Sequence, residues 1–208
     1  MINQNVYPLR PAAIDVDGVL LDCDNSFAIV ASDMLKRPLV KLNNAYNLSI
    51  RYGITHDEML KTFEYMKDHP SGWSGMPALK GAIDAVKNLQ LKGYFIHLVT
   101  AIPEELKDMR LSCLKKYDFV PDAIYCAGHH LASKTEALRN INPIMMIDDR
   151  LSHLNDISFV PYRVWVDHGD DQEGFVPQKD VHRVKSLSQW IKKWDKISVS
   201  SKKIAFRH

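Results

Sequence analysis

One stretch, Ala12-Ala13-Ile14-Asp15-Val16-Asp17-Gly18-Val19-Leu20, limits what this chain can become. Behind the turn-forming Pro11 it opens with a short apolar segment that reads as a buried parallel strand. Two carboxylates follow, two residues apart, and then Gly18, where the chain can bend away at little steric cost. Side chains alternate faces along an extended chain, so Asp15 and Asp17 are expected to point the same way, off the strand's carboxyl end. In open α/β sheets that end is where ligands bind. Two like charges forced together repel, and they stay ionised only if a cation or a shared proton relieves them. A divalent metal with oxygen ligands, magnesium, is the expected relief. Taken alone the pair reads equally well as loop acids or helix caps, so the rest of the chain decides.

Asp22-Cys23-Asp24-Asn25-Ser26 is a polar cluster able to cap a helix, and Phe27, Val30, Ala31, Met34 and Leu35 recur behind it at helical spacing. A second helix is expected over 40–52, closed by Gly53, and Thr55-His56-Asp57-Glu58 is a capping box for a third. Ser71 to Pro77 is a turn-rich connector. Beyond it the pattern becomes alternating helix and strand, the signature of a parallel sheet with crossover helices. Strands are expected at 94–99, 123–126, 144–147 and 162–166, and helices from 79, 103, 133 and 186. A polar, basic tail is expected over 198–208.

At 208 residues the chain can bury a full core, and a formal charge of +2 is too small to indicate nucleic acid or an anionic membrane surface. No apolar run is long enough to span a bilayer, and the first residues lack the basic-then-apolar pattern of a signal peptide. Cys23, Cys113 and Cys126 are few and widely spaced, which suits reduced thiols in a cytoplasm.

Four expected strand ends carry polar groups of one chemical logic. Asp15 and Asp17 end the first, Thr100 follows the second, Lys134 opens the helix after the third, and Asp148 and Asp149 follow the fourth. If the strands are neighbours, carboxylates, a hydroxyl and an ammonium converge on one crevice, the inventory that phosphoryl transfer needs. Thr100 also reads as a helix cap, Lys134 as a solvated helix lysine, and Asp148-Asp149 as turn acids. Cys23 reads as a packing residue, and His129 and His130 flank the lysine loop without metal-ligand spacing.

In this ordered set the chain resembles the haloacid dehalogenase superfamily, specifically its magnesium-dependent phosphatases. The matching residues are Asp15-Val16-Asp17-Gly18-Val19, Thr100 after Leu98-Val99, Lys134, and Ile147-Asp148-Asp149. The resemblance implies a Rossmann-like α/β core, residues 1–20 and 75–197, with a small helical cap, residues 21–74, inserted after the first motif. It implies Asp15 as nucleophile, Asp17 as general acid and base, Thr100 as a phosphoryl hydrogen-bond donor and Lys134 as a neutralising cation. Magnesium is implied on Asp15, the backbone carbonyl of Asp17 and Asp149, with Asp148 in support.

The implied reaction is hydrolysis of a small phosphomonoester. Ser188-Gln189-Trp190, Trp194 and Ile147-Asp148-Asp149-Arg150 are similar to the deoxyribonucleotidase branch, which hydrolyses nucleoside monophosphates. The chain departs from that branch in having Ala101-Ile102-Pro103 where a serine-proline helps hold phosphate and sugar. A sugar phosphate or phosphoglycolate is the alternative substrate, and a catalytically silent binding module the alternative function. Ala101 and Trp73, the latter on the Gly-flanked connector, are the candidate substrate contacts.

Overall fold

The computed structural model describes residues 10–128 and 131–205, with the backbone alone for 131–133 and 199–205. Strands β1 (Arg10–Ile14), β2 (Tyr94–Thr100), β3 (Ala123–Cys126), β4 (Met145–Asp148), β5 (Tyr162–Val166) and β6 (Val181–Val184) form one sheet in the order β3-β2-β1-β4-β5-β6. Every pairing is parallel. The central strands are apolar on both faces because a core lies on each side. Ala12, Ile14, Met145 and Ile147 belong to one, with Val86, Leu89 and Trp190. Ala13 and Met146, paired in register, belong to the other, with Leu138 and Leu151.

Three helices, α1 (Cys23–Met34), α2 (Leu48–Tyr52) and α3 (His56–Tyr65), lie between the turn after β1 and the connector of residues 71–77. The remainder are α4 (Ala82–Leu91), α5 (Lys107–Lys115), α6 (Leu131–Ile141), α7 (Leu151–Asn155) and α8 (Leu187–Ala205). From β1 the chain runs outward through β2 to β3, then crosses to the far side of β1 and runs outward from β4 to β6. That reversal leaves a crevice at the carboxyl end of β1.

The segment that carries α1 to α3 departs from the sheet and returns to it at one place. Leu21 forms an antiparallel bridge with Ala78, Asp22 N donates to Pro77 O (2.9 Å), and Leu79 N donates to Leu20 O (2.9 Å). The Thr55–Glu58 capping box forms as expected, and Gly53 closes α2 with φ 62°. The helix expected over 40–52 is shorter. Asn43 accepts from Ala45 N, and Asn47 caps α2 through Ser49 N, so the asparagine side chains satisfy the backbone locally and confine the helix to its last turns. Strand β6 and helix α7, both short and weakly periodic, were missed. Helix α8 continues through Ser198 to Ala205, since no glycine or proline interrupts that stretch; residues 206–208 lie outside the described residues, as do His129 and His130. All three cysteines are free thiols, and no helix among the described residues is long and apolar enough to cross a membrane.

Candidate active site

Asp15 follows β1 directly, and its backbone N–H donates to Ile147 O of β4 (2.9 Å), which fixes it between the two strands. At Val16 the chain leaves the extended course, and Val16 O accepts from both Leu20 N and Leu21 N (2.9 Å each). A tight turn, rather than strand alternation, therefore brings Asp15 and Asp17 to one cleft. The turn requires Gly18, whose φ is +75° and whose missing Cβ would lie 2.3 Å from Asp149 Oδ2. The closing residues of β2 and β4, Thr100 and Asp148, flank this turn and sit within their strands rather than after them.

Lys134, in the first turns of α6, is buried and reaches across the crevice. Its Nζ donates to Asp148 Oδ2 (2.7 Å) and lies 3.2 Å from Asp15 Oδ1. Asp148 is saturated: His153 Nδ1 is 3.2 Å from the same oxygen, and Arg150 N donates to Oδ1 (2.9 Å). These partners outweigh burial and hold the Asp148 carboxyl well below the usual carboxylate range. The same two acids outweigh burial at Lys134 and hold its ammonium charged. The remaining acids lack such compensation. Burial, reinforced by Asp148 and Asp17 against the pull of Lys134, pushes Asp15 up to about 7. Burial and the neighbouring carboxylates push Asp149 well above its ordinary value.

Oxygens of Asp15, Asp148 and Asp149 all lie within 4.8 Å of one another. Three carboxylates thus face one ammonium, and the Asp149 carboxylate accepts no hydrogen bond among the described residues. Beside them Thr100 is fully buried with no partner for its Oγ1. A clustered surplus of hard oxygen donors, with an orphaned hydroxyl alongside, fits a divalent cation and an oxyanion.

The cleft in front has a volume of about 1150 Å³ and is lined by Asp15, Asp17, Asp149 and Lys134 on the sheet side, and by Met59 and Phe63 of α3 on the other. Ala101 lies on its wall. Trp73 touches the wall too, but it is only 6% exposed, its Nε1–H donates to Phe63 O (3.0 Å), and its ring packs on Phe63 and the Arg110 guanidinium. Trp73, a candidate substrate contact, thus stands at the cleft wall with its ring packed on Phe63 and Arg110. Burial and the nearby carboxylate of Asp17 hold the Cys23 thiol well above its ordinary pKa, in keeping with a packing residue.

Three residues at the site escaped sequence reading. Arg110 Nη2 donates to both oxygens of Asp17 (2.8 and 2.9 Å). Position 110 falls on the buried stripe of α5, four residues after Leu106 and three and four before Cys113 and Leu114, so an arginine there was the signal. His153 sits on the missed helix α7. Tyr46 stands near the acids, which, after burial, push its hydroxyl up, and Arg150 lies 4.7 Å from its ring centre.

No protein-family model matches the sequence, and no curated protein matches it significantly. Solved structures do match it. The HAD-hydrolase YfnB from Bacillus subtilis, described as bound to magnesium, superimposes with a TM-score of 0.60 at 15% identity, covering 91% of this chain and 100% of that one. A predicted phosphoglycolate phosphatase from Haemophilus somnus gives 0.60 at 13% identity, covering 90% and 98%. The L-2-haloacid dehalogenase PA0810 gives 0.59 at 14% identity, covering 90% and 100%. With its six parallel strands, its crevice at β1 and these matches over almost its whole length, the chain has the fold of the haloacid dehalogenase superfamily.

Proposed function

We propose that the chain is a magnesium-dependent phosphomonoester hydrolase that works through an aspartyl-phosphate on a small metabolite. One observation carries this reading. A carboxylate beside a lysine, a second acid two residues on, and a buried hydroxyl without a partner share one crevice. In the reaction an oxygen of Asp15 bonds to phosphorus in line as the ester P–O bond breaks, and Asp17 gives its proton to the leaving alkoxide. Water then attacks the phosphoryl group, Asp17 takes its proton, and inorganic phosphate leaves with Asp15 restored. Thr100 donates to a phosphoryl oxygen, and Lys134 offsets the repulsion between nucleophile and ester. Asp15, Asp149 and the Asp17 carbonyl, with Asp148 in support, would hold magnesium, which when bound would supply positive charge to offset that of the transferring phosphoryl group.

The segment 21–74 is read as a cap that excludes water and selects the ester. A cleft of about 1150 Å³ with apolar side chains of α3 on one wall favours a body the size of a nucleoside over phosphoglycolate, with a sugar phosphate as the alternative. The setting is read as cytoplasmic, without a nucleic-acid polymer or membrane as partner. Dehalogenases share the fold, but a departing halide needs no proton, so the second acid, Asp17, favours an ester whose alkoxide must be protonated.

The test is hydrolysis of p-nitrophenyl phosphate. Wild type turns over with magnesium and stops with a chelator, and Asp15→Asn falls by at least about a thousandfold. Turnover that persists in the chelator would exclude the metal role. No turnover would leave the binding-module reading, and release of halide from 2-chloropropionate would favour a dehalogenase. A panel of nucleoside monophosphates and sugar phosphates then ranks substrates.

A further inference from the structure

Arg110 has no exposed surface, and among the described residues its ion-pair partner is Asp17. A guanidinium taken out of water costs several kcal/mol, on the order of what a well-made pair returns, and a packed apolar side chain of similar volume often stabilises as well or better. Stability alone therefore gives little reason for an arginine here, and the geometry gives another. One nitrogen, Nη2, lies 2.8 and 2.9 Å from the two oxygens of Asp17, so it sits between them and leaves the outer lone pair of each free. The Asp17 side chain is 26% exposed and lines the cleft. It is gripped from behind and open in front. Arg110 is itself fixed, with Nη1 donating to Met76 Sδ (3.1 Å) and the guanidinium carbon 5.3 Å from the centre of the Trp73 ring.

We infer that Arg110 is the positioning residue for Asp17, presenting its carboxyl group at the leaving oxygen of the ester. This rests on the phosphomonoester reading above. Trp73 and Met76 belong to the connector between α3 and α4, and Trp73 donates to Phe63 O of α3. A continuous run of contacts, Phe63 to Trp73 to Arg110 to Asp17, thus joins the inserted helices to the group that moves the proton.

The test compares two esters of similar size in the full chain with magnesium. p-Nitrophenyl phosphate has a leaving group that departs without a proton; benzyl phosphate has one that needs it. The ratio kcat/KM covers the steps through formation of the aspartyl-phosphate, so it reports that proton alone. Arg110→Met is expected to lower kcat/KM for benzyl phosphate by about a hundredfold, within the range for a general acid, and for p-nitrophenyl phosphate by less than about fivefold. In an Asp17→Asn background, Arg110→Met is expected to add no more than about twofold on benzyl phosphate, because the partner is already gone. Arg110→Lys, which keeps a cation, recovers part of the loss.

Equal losses on both esters, or an undiminished effect in the Asp17→Asn background, would make Arg110 a structural brace and overturn the inference. So would failure of both variants to fold, read by thermal unfolding. A faster benzyl rate would show that the guanidinium restrains the acid instead of presenting it. Wild type inactive on both esters would bring down the phosphatase reading as well, which separates that failure from this one.

Discussion

Gly18 meets two demands at once, a positive φ and room for the Asp149 carboxylate. Alanine there would carry a conformational cost of about 1–2 kcal/mol and push a methyl group into Asp149 Oδ2. Gly18→Ala is accordingly expected to lose about 2 kcal/mol in denaturant unfolding and at least about tenfold in phosphatase rate, with magnesium affinity falling in parallel. Asp15, Gly18, Lys134 and the Asp148–Asp149 pair were legible in the sequence because each sits where an apolar run gives way to a turn or a helix start. Arg110 was not, because a charged residue on a buried helix face finds its partner across the fold and nothing local announces it. At Trp73 the glycines alongside suggested access, while Phe63 and Arg110 pack on the ring.

Among the inserted helices, α2 reaches the loop after β5 through an ion pair. Arg51 is buried, and its guanidinium reaches Asp24 at the start of α1 (2.8 Å) and Asp170 in the loop after β5 (2.7 Å), while Nε donates to Ala45 O (2.7 Å). In the same loop Asp171 N donates to Asn44 O (2.7 Å) and His168 Nε2 lies 2.6 Å from Gly18 O. The stretch from Lys41 to Tyr52 is thus strapped over the crevice at several points. Removing the central ion pairs with Arg51→Met should free it, with amide exchange over residues 42–54 accelerating about tenfold, roughly 1.4 kcal/mol of local opening, and exchange in β1 and β4 unchanged. Uniform acceleration throughout the chain would instead mark Arg51 as a global support. The sequence missed this strap because its partners lie in distant segments, and because helical periodicity was read through asparagines that in the fold serve as local hydrogen-bonding stops.

For the molecule as a whole, the fold was legible down to strand order's main consequence, a crevice at β1, since alternating apolar strands and amphipathic helices admit few parallel arrangements. The short β6 and α7 carried too little periodicity to be seen. The assembled site holds surplus negative charge, and its stability should respond accordingly. Burial and neighbouring acids raise Asp15 to about 7 and Asp149 well above the ordinary 3.8, so above pH 4 these two carboxyls hold protons in the metal-free folded chain that the unfolded chain has released. Their contribution to stability should therefore fall as pH rises from about 4 through 7, and the unfolding free energy of Asp149→Asn relative to the parent chain should rise across that range. Magnesium at a hundredfold its dissociation constant should restore about 2.7 kcal/mol at neutral pH, seen as a midpoint rise of roughly 5–10 °C that Asp149→Asn loses. Strand β1 also sets a timetable. As the first strand of the sheet to leave the ribosome, it must wait for β2 and then β4, its partners at Leu98 and Ile147, before both its edges are covered. The nascent chain therefore carries Asp15 and Asp17 in solvent until β4 has been made, and only then do the mutually repelling groups meet, with the lysine that tempers them arriving just ahead.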